Sequence, residues 1–319
     1  MWICFQYISI TGTRNPRTPL AGTAAHISTI NNVTIISPSV IVVTITPHQG
    51  RCQRTTPATA LSFAHRGIFC YSTAMDILYL DDYLVAVTKP TGILVHRSAV
   101  DRRETVSALQ LTRNCIGRRV YPVHRLDRPT SGVLLFTLSP ELATVLGTSF
   151  ATRQVVKRYV AVVRGIVPDA GIIDYPLVEE PDRMTDRMAR AGKVAQEAVT
   201  SFRSLAVAEL PYPSGRHATS RYSLVEARPL TGRKHQIRRH FKHLSHPVIG
   251  DTTHGDGFHN RRFREEFDCH RLLLHALELT IPHPATGESL RVTAPPDEAF
   301  ARLLDRMEWR DVLKSADMT

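Results

Sequence analysis

The sequence predicts an α+β domain, and three observations carry that prediction. Short β-prone runs and amphipathic stretches are interspersed along residues 75–319 without the regular strand–helix–strand rhythm of a doubly wound sheet. The apolar run Val133 to Phe136 follows a polar turn, the pattern of a buried strand. The chain has 319 residues, 43% hydrophobic and 22% charged, the balance of a globular protein with ample material for a core.

The formal net charge of +11 favours a polyanionic partner, nucleic acid first and an anionic membrane surface second. The five cysteines include no CxxC pair, so neither a zinc site nor a disulfide framework is indicated. No run reaches the roughly 18 apolar residues of a membrane span.

Composition changes abruptly near Met75. Residues 1–74 contain no Asp, Glu or Lys and only five arginines (Arg14, Arg17, Arg51, Arg54 and Arg66). This reads as a leader outside the native protein, an upstream extension or a mis-set start, with a catalytic domain at 75–319. An organellar transit peptide is the alternative, although Pro16, Pro19, Pro38, Pro47 and Pro57 interrupt any amphipathic helix. Val33–Ile45 is β-prone and weakly charged, an aggregation hazard if made. The expected location is cytoplasmic, or organellar if the leader is a transit peptide.

From Met75 the elements follow in order. Ile77 to Val87 reads as strand, Asp-Asp turn, strand, ending at the turn signature Lys89-Pro90-Thr91-Gly92. Residues 103–113 read as a helix with Val106, Leu109 and Leu111 inward. Pro129 and Gly132 punctuate the turn at 124–132 before the apolar run. Ser139-Pro140-Glu141 is a helix start, with serine as cap and proline first, and the helix runs to about Thr152. Residues 155–165 and 220–230 are strands, and 181–198 is a polar surface excursion. In 231–251, Ile237, Phe241 and Leu244 recur at i, i+4 and i+7, predicting an amphipathic helix opened by Thr231-Gly232. Its other face carries Arg233, Lys234, Arg238, Arg239 and Lys242. A strand at 271–281 and a helix near 297–309 close the chain.

Three polar constellations could bear chemistry: His124-Arg125-Leu126-Asp127, Lys157-Arg158-Tyr159, and the basic stretch 232–239. An Asp in a strand-entry turn commonly caps a backbone amide, and a strand tyrosine commonly fills core, so spacing alone leaves both roles open. The basic helix face is equally a solvated surface or a phosphate-binding one. His235, His240, His243, His246, Asp251 and His254 invite a metal reading, but no pair has the HExxH spacing, and solvated or RNA-facing histidines fit better.

HRLDRPTSGVLLF (124–136) resembles the signature of the RluA family of pseudouridine synthases. KPTG (89–92), KRYVAVVRG (157–165), TGRKHQIRRH (231–240), HPVIGD (246–251) and LLLHA (272–276) match its other motifs in order. The resemblance covers 75–310. KPTGILVHRS (89–98) and RRHFKHLSHPVIGDTTHGD (238–256) are most similar to the TruC branch, which acts on uridine 65 of tRNA.

The resemblance implies a mixed, mainly antiparallel sheet with flanking helices and a central RNA-binding cleft. It implies Asp127 as the nucleophile, Arg233 as the arginine that pairs with it, and Tyr159 as the ring that stacks on the target base. Arg125 would fill the space left by a flipped uridine. Lys89, His124, Lys157, Lys234, Arg238 and Arg239 would contact RNA, and Leu273 and Leu274 would wall the pocket. An isomerisation needs no cofactor and no metal. The expected partner is tRNA, with ribosomal RNA as the alternative substrate and an RNA-binding protein without activity as the alternative class. The default state is a monomer, with no membrane association.

Overall fold

The computed structural model describes residues 33–37, 40–43, 75–96, 106–179 and 194–316. Strands β1 (Val33–Ser37) and β2 (Val40–Val43) pair as an antiparallel hairpin, with Val33 opposite Val43 and Ile35 opposite Ile41. The β-prone reading of Val33–Ile45 falls on this hairpin. The remainder of 1–74, with the start at Met75 and the transit-peptide alternative, lies outside the described residues.

The larger unit is built on one ten-stranded sheet. Strands β3 (Ile77–Leu80) and β4 (Leu84–Lys89) form the predicted hairpin around the Asp-Asp turn. Asp81 makes that turn, accepting from the amides of Tyr83 at 2.7 Å and Leu84 at 2.6 Å. Helix α1 (Ala108–Ile116) starts later than the sequence predicts because Ser107 and Gln110 form a capping box. Val106 therefore precedes the helix and is exposed rather than inward. Strands β5 (Tyr121–Pro122) and β6 (Ser131–Thr137) follow, and all of β6 is buried. Helix α2 (Pro140–Ala151) is capped by Ser139, as expected.

Next come β7 (Val156–Arg164), β8 (Ala170–Asp174), β9 (Val199–Leu210) and β10 (Ser220–Pro229). Most of the polar excursion expected at 181–198 lies outside the described residues, and β9 begins directly after it. Helices α3 (Gln236–His243) and α4 (Gly257–Phe267), strands β11 (Leu274–Pro282) and β12 (Ser289–Thr293), and helices α5 (Glu298–Arg306) and α6 (Arg310–Ala316) complete the fold.

The sheet order is β3-β4-β6-β11-β7-β10-β9-β8, with β5 on β6 and β12 on β11. All pairings are antiparallel except β6 with β11, so the sheet is mixed and mainly antiparallel, as expected. The central strands are buried on both faces, which explains why β7 alternates so poorly in sequence. Ala161 and Val163 pack with Ile237 and Phe241 of α3 on one face. Val160 and Val162 pack with Phe263, Phe300 and Leu303 on the other.

The parallel junction of β6 and β11 is tight. Gly132 has φ +115°, a conformation that favours glycine, and a Cβ there would collide with the Ala276 backbone. Sequentially distant strands can thus start side by side, His275 opposite Ser131.

Candidate active site

Two turns interlock where β4 ends and β6 begins. Thr130 N donates to Asp127 O at 3.0 Å, closing the turn that carries Asp127. Gly92 N donates to Arg128 O at 2.8 Å, and Arg128 Nε returns a bond to Gly92 O at 2.9 Å. Thr91 Oγ1 donates to Pro129 O at 2.9 Å. Lys89 lies beneath both turns, 0% exposed, and donates to Pro90 O at 2.9 Å, Arg128 O at 3.1 Å and Thr130 O at 2.7 Å. This corrects the reading of Lys89 as a phosphate contact: the ammonium is inside the protein, where it holds the Asp127 turn. Burial pulls its pKa down to about 7 despite the Asp127 charge nearby, with Arg271 and Arg128 adding to the depression.

Asp127 is paired with Arg238, whose Nη1 donates to its Oδ2 at 3.1 Å. This is a second correction. Arg233, expected to hold the aspartate, is exposed and its Nε donates to Glu197 O at 3.0 Å. Arg238, expected on the phosphate-binding face, is buried and grips a second carboxylate as well. Its Nε and Nη2 donate to Asp251 Oδ2 and Oδ1 at 2.6 and 2.8 Å. The physical reason lies in the start of α3. Residues 231–235 form a loop rather than a first turn. Thr231 Oγ1 donates to Gln236 Oε1 at 2.7 Å, and Arg233 N donates to the same oxygen at 2.9 Å. His235 then enters the helix with φ 55°. Arg233 is stranded outside, and Arg238 sits on the helix surface that faces Asp127.

Burial opposes ionisation of Asp251, but Arg238 and the amides of His254 and Thr253 outweigh it and hold its pKa below the ordinary carboxylate value. Burial likewise opposes the Arg238 charge, and the two carboxylates outweigh it. Among the described residues, Arg238 makes the one hydrogen bond to the Asp127 carboxylate, leaving Oδ1 without a bond.

Tyr159 stands on β7 between Ala227 of β10 and Ala276 of β11. It packs against both core clusters on that side of the sheet. Burial first, and then the Asp127 charge, raise the phenol pKa well above its ordinary value. The hydroxyl therefore stays protonated at neutral pH, close enough to Asp127 to feel its charge.

The other expected residues divide. Leu274 lies with Tyr159 on the α3 face. Leu273 points the other way, fully buried among Phe300, Leu303 and Leu304, and walls no pocket near Asp127. His124 is also corrected. Its Nε2 accepts the Leu135 amide at 2.9 Å and its ring stacks on Phe150 at 5.2 Å. Burial, aided by Lys157, lowers its pKa to about 4, so it is a neutral strut of β6 rather than an RNA contact. Lys157 donates to Thr231 O at 2.9 Å, and Arg239 to Val178 O at 2.8 Å. Lys234 is half-buried in the loop before α3, while Arg125 and Lys242 are exposed.

The histidines of 235–254 go to separate tasks. His240 bonds Thr200 Oγ1 and Tyr175 O, His243 stacks on Tyr175 at 3.7 Å, and His246 bonds Arg164 O. His235 and His254 bond each other at 3.0 Å. Arg158, the third polar residue of its constellation, lies on the opposite face of the sheet in a buried pair with Glu226 at 2.5 Å.

Sequence reasoning did not single out Asp251 as Arg238's partner, nor Asn260, Ser131 and His275. Ser131 Oγ bonds His275 Nδ1 at 2.7 Å and accepts from Arg271 at 2.8 Å. The usable signal was Asp251 itself: an acid that follows directly on the apolar run Pro247-Val248-Ile249 and its glycine is placed to be buried and then needs a cation. As a whole, the site offers a carboxylate on a rigid strand entry, oriented by one guanidinium, beside a flat ring. That arrangement suits nucleophilic attack on a planar substrate.

A family model described as RNA pseudouridylate synthase matches residues 83–243. The tRNA pseudouridine synthase C of Vibrio cholerae serotype O1 is 52% identical over 239 residues, 75% of this chain and 98% of that protein. The protein of the same name from Salmonella typhi is 51% identical over 239 residues, 75% of this chain and 92% of its own. Among solved structures, human RNA pseudouridylate synthase domain containing 4 superposes with a TM-score of 0.54 at 27% identity, over 73% of this chain and 92% of that one.

Proposed function

The chain belongs to the RNA pseudouridylate synthase family, and from that premise we propose that it isomerises uridine to pseudouridine in tRNA, with Asp127 as nucleophile. The observation that carries the reading is the Arg238–Asp127 bond at 3.1 Å beside Tyr159. The relatives named tRNA pseudouridine synthase C, about half identical across nearly their whole length, support tRNA as the substrate. The likeness of residues 238–256 to the TruC branch supports uridine 65.

The target base cannot be reached while stacked, so it is flipped out of its helix at a cost of a few kcal/mol. Exposed Arg125, two residues before Asp127, fills the space it leaves. The uracil lies against Tyr159, where a flat ring offers stacking over its whole face. Asp127 acts as the carboxylate nucleophile. The N1–C1′ glycosidic bond breaks, a C5–C1′ bond replaces it, C5 loses a proton and N1 gains one. Covalent capture divides this into easier steps with no co-reactant needed. Arg238 engages Oδ2 and so fixes which oxygen remains available. The Tyr159 hydroxyl, kept protonated by burial and the Asp127 charge, serves beside the base as a hydrogen-bond donor rather than as a base.

The test is mapping. Unmodified tRNA and ribosomal RNA are incubated with the protein, and pseudouridine is located by carbodiimide modification and primer extension. The reading predicts one new stop at uridine 65 of tRNA and none in ribosomal RNA. Stops confined to ribosomal RNA would reassign the substrate.

A further inference from the structure

We propose that Asp251 is a positioning residue of this reaction: it aims Arg238 at Asp127, and Asn260 holds it in place to do so. The inference rests on the reading of Asp127 as nucleophile. A guanidinium presents its five N–H donors in a rigid planar fork. Asp251 takes the Nε and Nη2 donors with its two oxygens, at 2.6 and 2.8 Å. That bidentate seat fixes the plane of the fork, and Nη1 is left pointing at Asp127 Oδ2. The two carboxylates are not equivalent. The Asp251 side chain is 0% exposed, whereas that of Asp127 is 20% exposed. The dry carboxylate is the anchor and the wetter one is free to meet substrate.

Asp251 is itself over-determined. Its Oδ1 also accepts from the amides of Thr253 at 2.8 Å and His254 at 2.9 Å. Asn260 of α4 brackets the residue on both sides, accepting from Gly250 N at 2.7 Å and donating to Asp251 O at 2.8 Å. Gly250 has φ +80°, and a Cβ there would collide with the Arg271 carbonyl. A buried ion pair alone is weak evidence of purpose, because such pairs often leave stability unchanged. Here one guanidinium is shared between a pinned carboxylate and the proposed nucleophile, which a pair serving stability alone does not need.

Three variants test this: Asp251→Asn, Arg238→Met and the double mutant. For each, the single-turnover rate with saturating tRNA, the tRNA Kd and the melting temperature are measured. Asp251→Asn is expected to slow the chemical step by about 10²-fold, the cost of misplacing a reacting group, with Kd changed less than about threefold. If Asp251 acts through Arg238, the double mutant is no slower than Arg238→Met alone. The double mutant also melts above Arg238→Met, which leaves a buried carboxylate unpaired. Rate losses that multiply, or Asp251→Asn turning over at the wild-type rate, would overturn the proposal.

Should Asp251→Asn fail to fold, Asn260→Ala replaces it. It is expected to be about tenfold slower at unchanged Kd, and a wild-type rate would count against the proposal. Failure of the underlying reading shows separately, as an Asp127→Asn protein that turns over normally.

Discussion

At the scale of single residues, what decides a role here is where a side chain's hydrogen bonds go. Lys89 looks like a phosphate contact in sequence and Arg233 like the partner of Asp127, and the fold gives each of them other bonds. Lys89→Met removes the donor to three main-chain oxygens. Unpaired buried carbonyls cost about 1–3 kcal/mol each, partly offset because a buried charge also disappears. A net loss of about 2–4 kcal/mol in urea unfolding is expected, with slower turnover and unchanged tRNA affinity; a stability equal to wild type would show that the ammonium does not hold the turn.

Arg233→Ala, by contrast, should keep nearly full activity while Arg238→Ala loses at least about 10²-fold, as expected for a group that orients the nucleophile; equal losses would return Arg233 to the site. That Asp127 and Tyr159 lie near each other was legible from the motifs they sit in, though spacing alone left their roles open. The Arg233/Arg238 exchange was not. Arg233 and Arg238 are five residues apart, about 140° around a helix, so spacing did not say which one meets Asp127, and the Thr231–Gln236 bond that delays the helix joins residues the hydrophobic pattern ignores.

At the scale of elements, β6 and its parallel neighbour β11 set the site. Periodicity found β4, β6, β7, β10 and α2 because each has an apolar face or a cap written locally. It missed β8, β9 and β12, whose half-exposed faces blur the alternation, and α4, whose inward residues His259 and Asn260 are polar. The β6–β11 pairing joins residues 144 apart in the chain, Ser131 and His275, and is marked only by Gly132 and His275. Gly132→Ala is expected to cost at least about 3 kcal/mol, from a strained φ and a backbone collision. Soluble Gly132→Ala protein with an unchanged melting temperature would show that the strands can move apart.

Two neutral histidines also brace β6. Burial lowers His124 and His275 each to about 4, against about 6.5 in the unfolded chain. Above about pH 6.5 both are neutral in either state and their contribution to stability is complete. As pH falls from 6.5 towards 4, the unfolded chain takes up protons that the native one refuses, so stability is lost. Below 4 these two contribute no further change. The fully buried His275 alone accounts for a loss on the order of 3 kcal/mol. His275→Gln should flatten the fall in melting temperature between pH 6.5 and 4, though it starts lower; an unchanged slope would show that His275 is not the group that titrates.

At the scale of the molecule, a net charge of +11 serves encounter with a polyanion, while the buried arginines serve geometry. Arg238 is neutralised by two carboxylates, so it is not available to a phosphate. The exposed cation Lys242 of α3 is. Lys242→Ala should reduce the slope of log K against log salt by about 1, because the cation neutralises one phosphate. A slope equal to wild type would move the RNA path away from α3.

The most direct measurement is tritium release from tRNA labelled at uridine C5, comparing the wild-type chain with Asp127→Asn. Asparagine keeps the shape and removes the nucleophilic charge. Release by the wild type and none by the variant, with equal tRNA binding, is the expected result. Release by the variant at the wild-type rate would take Asp127 out of the chemistry and leave the Arg238 pair without a catalytic purpose.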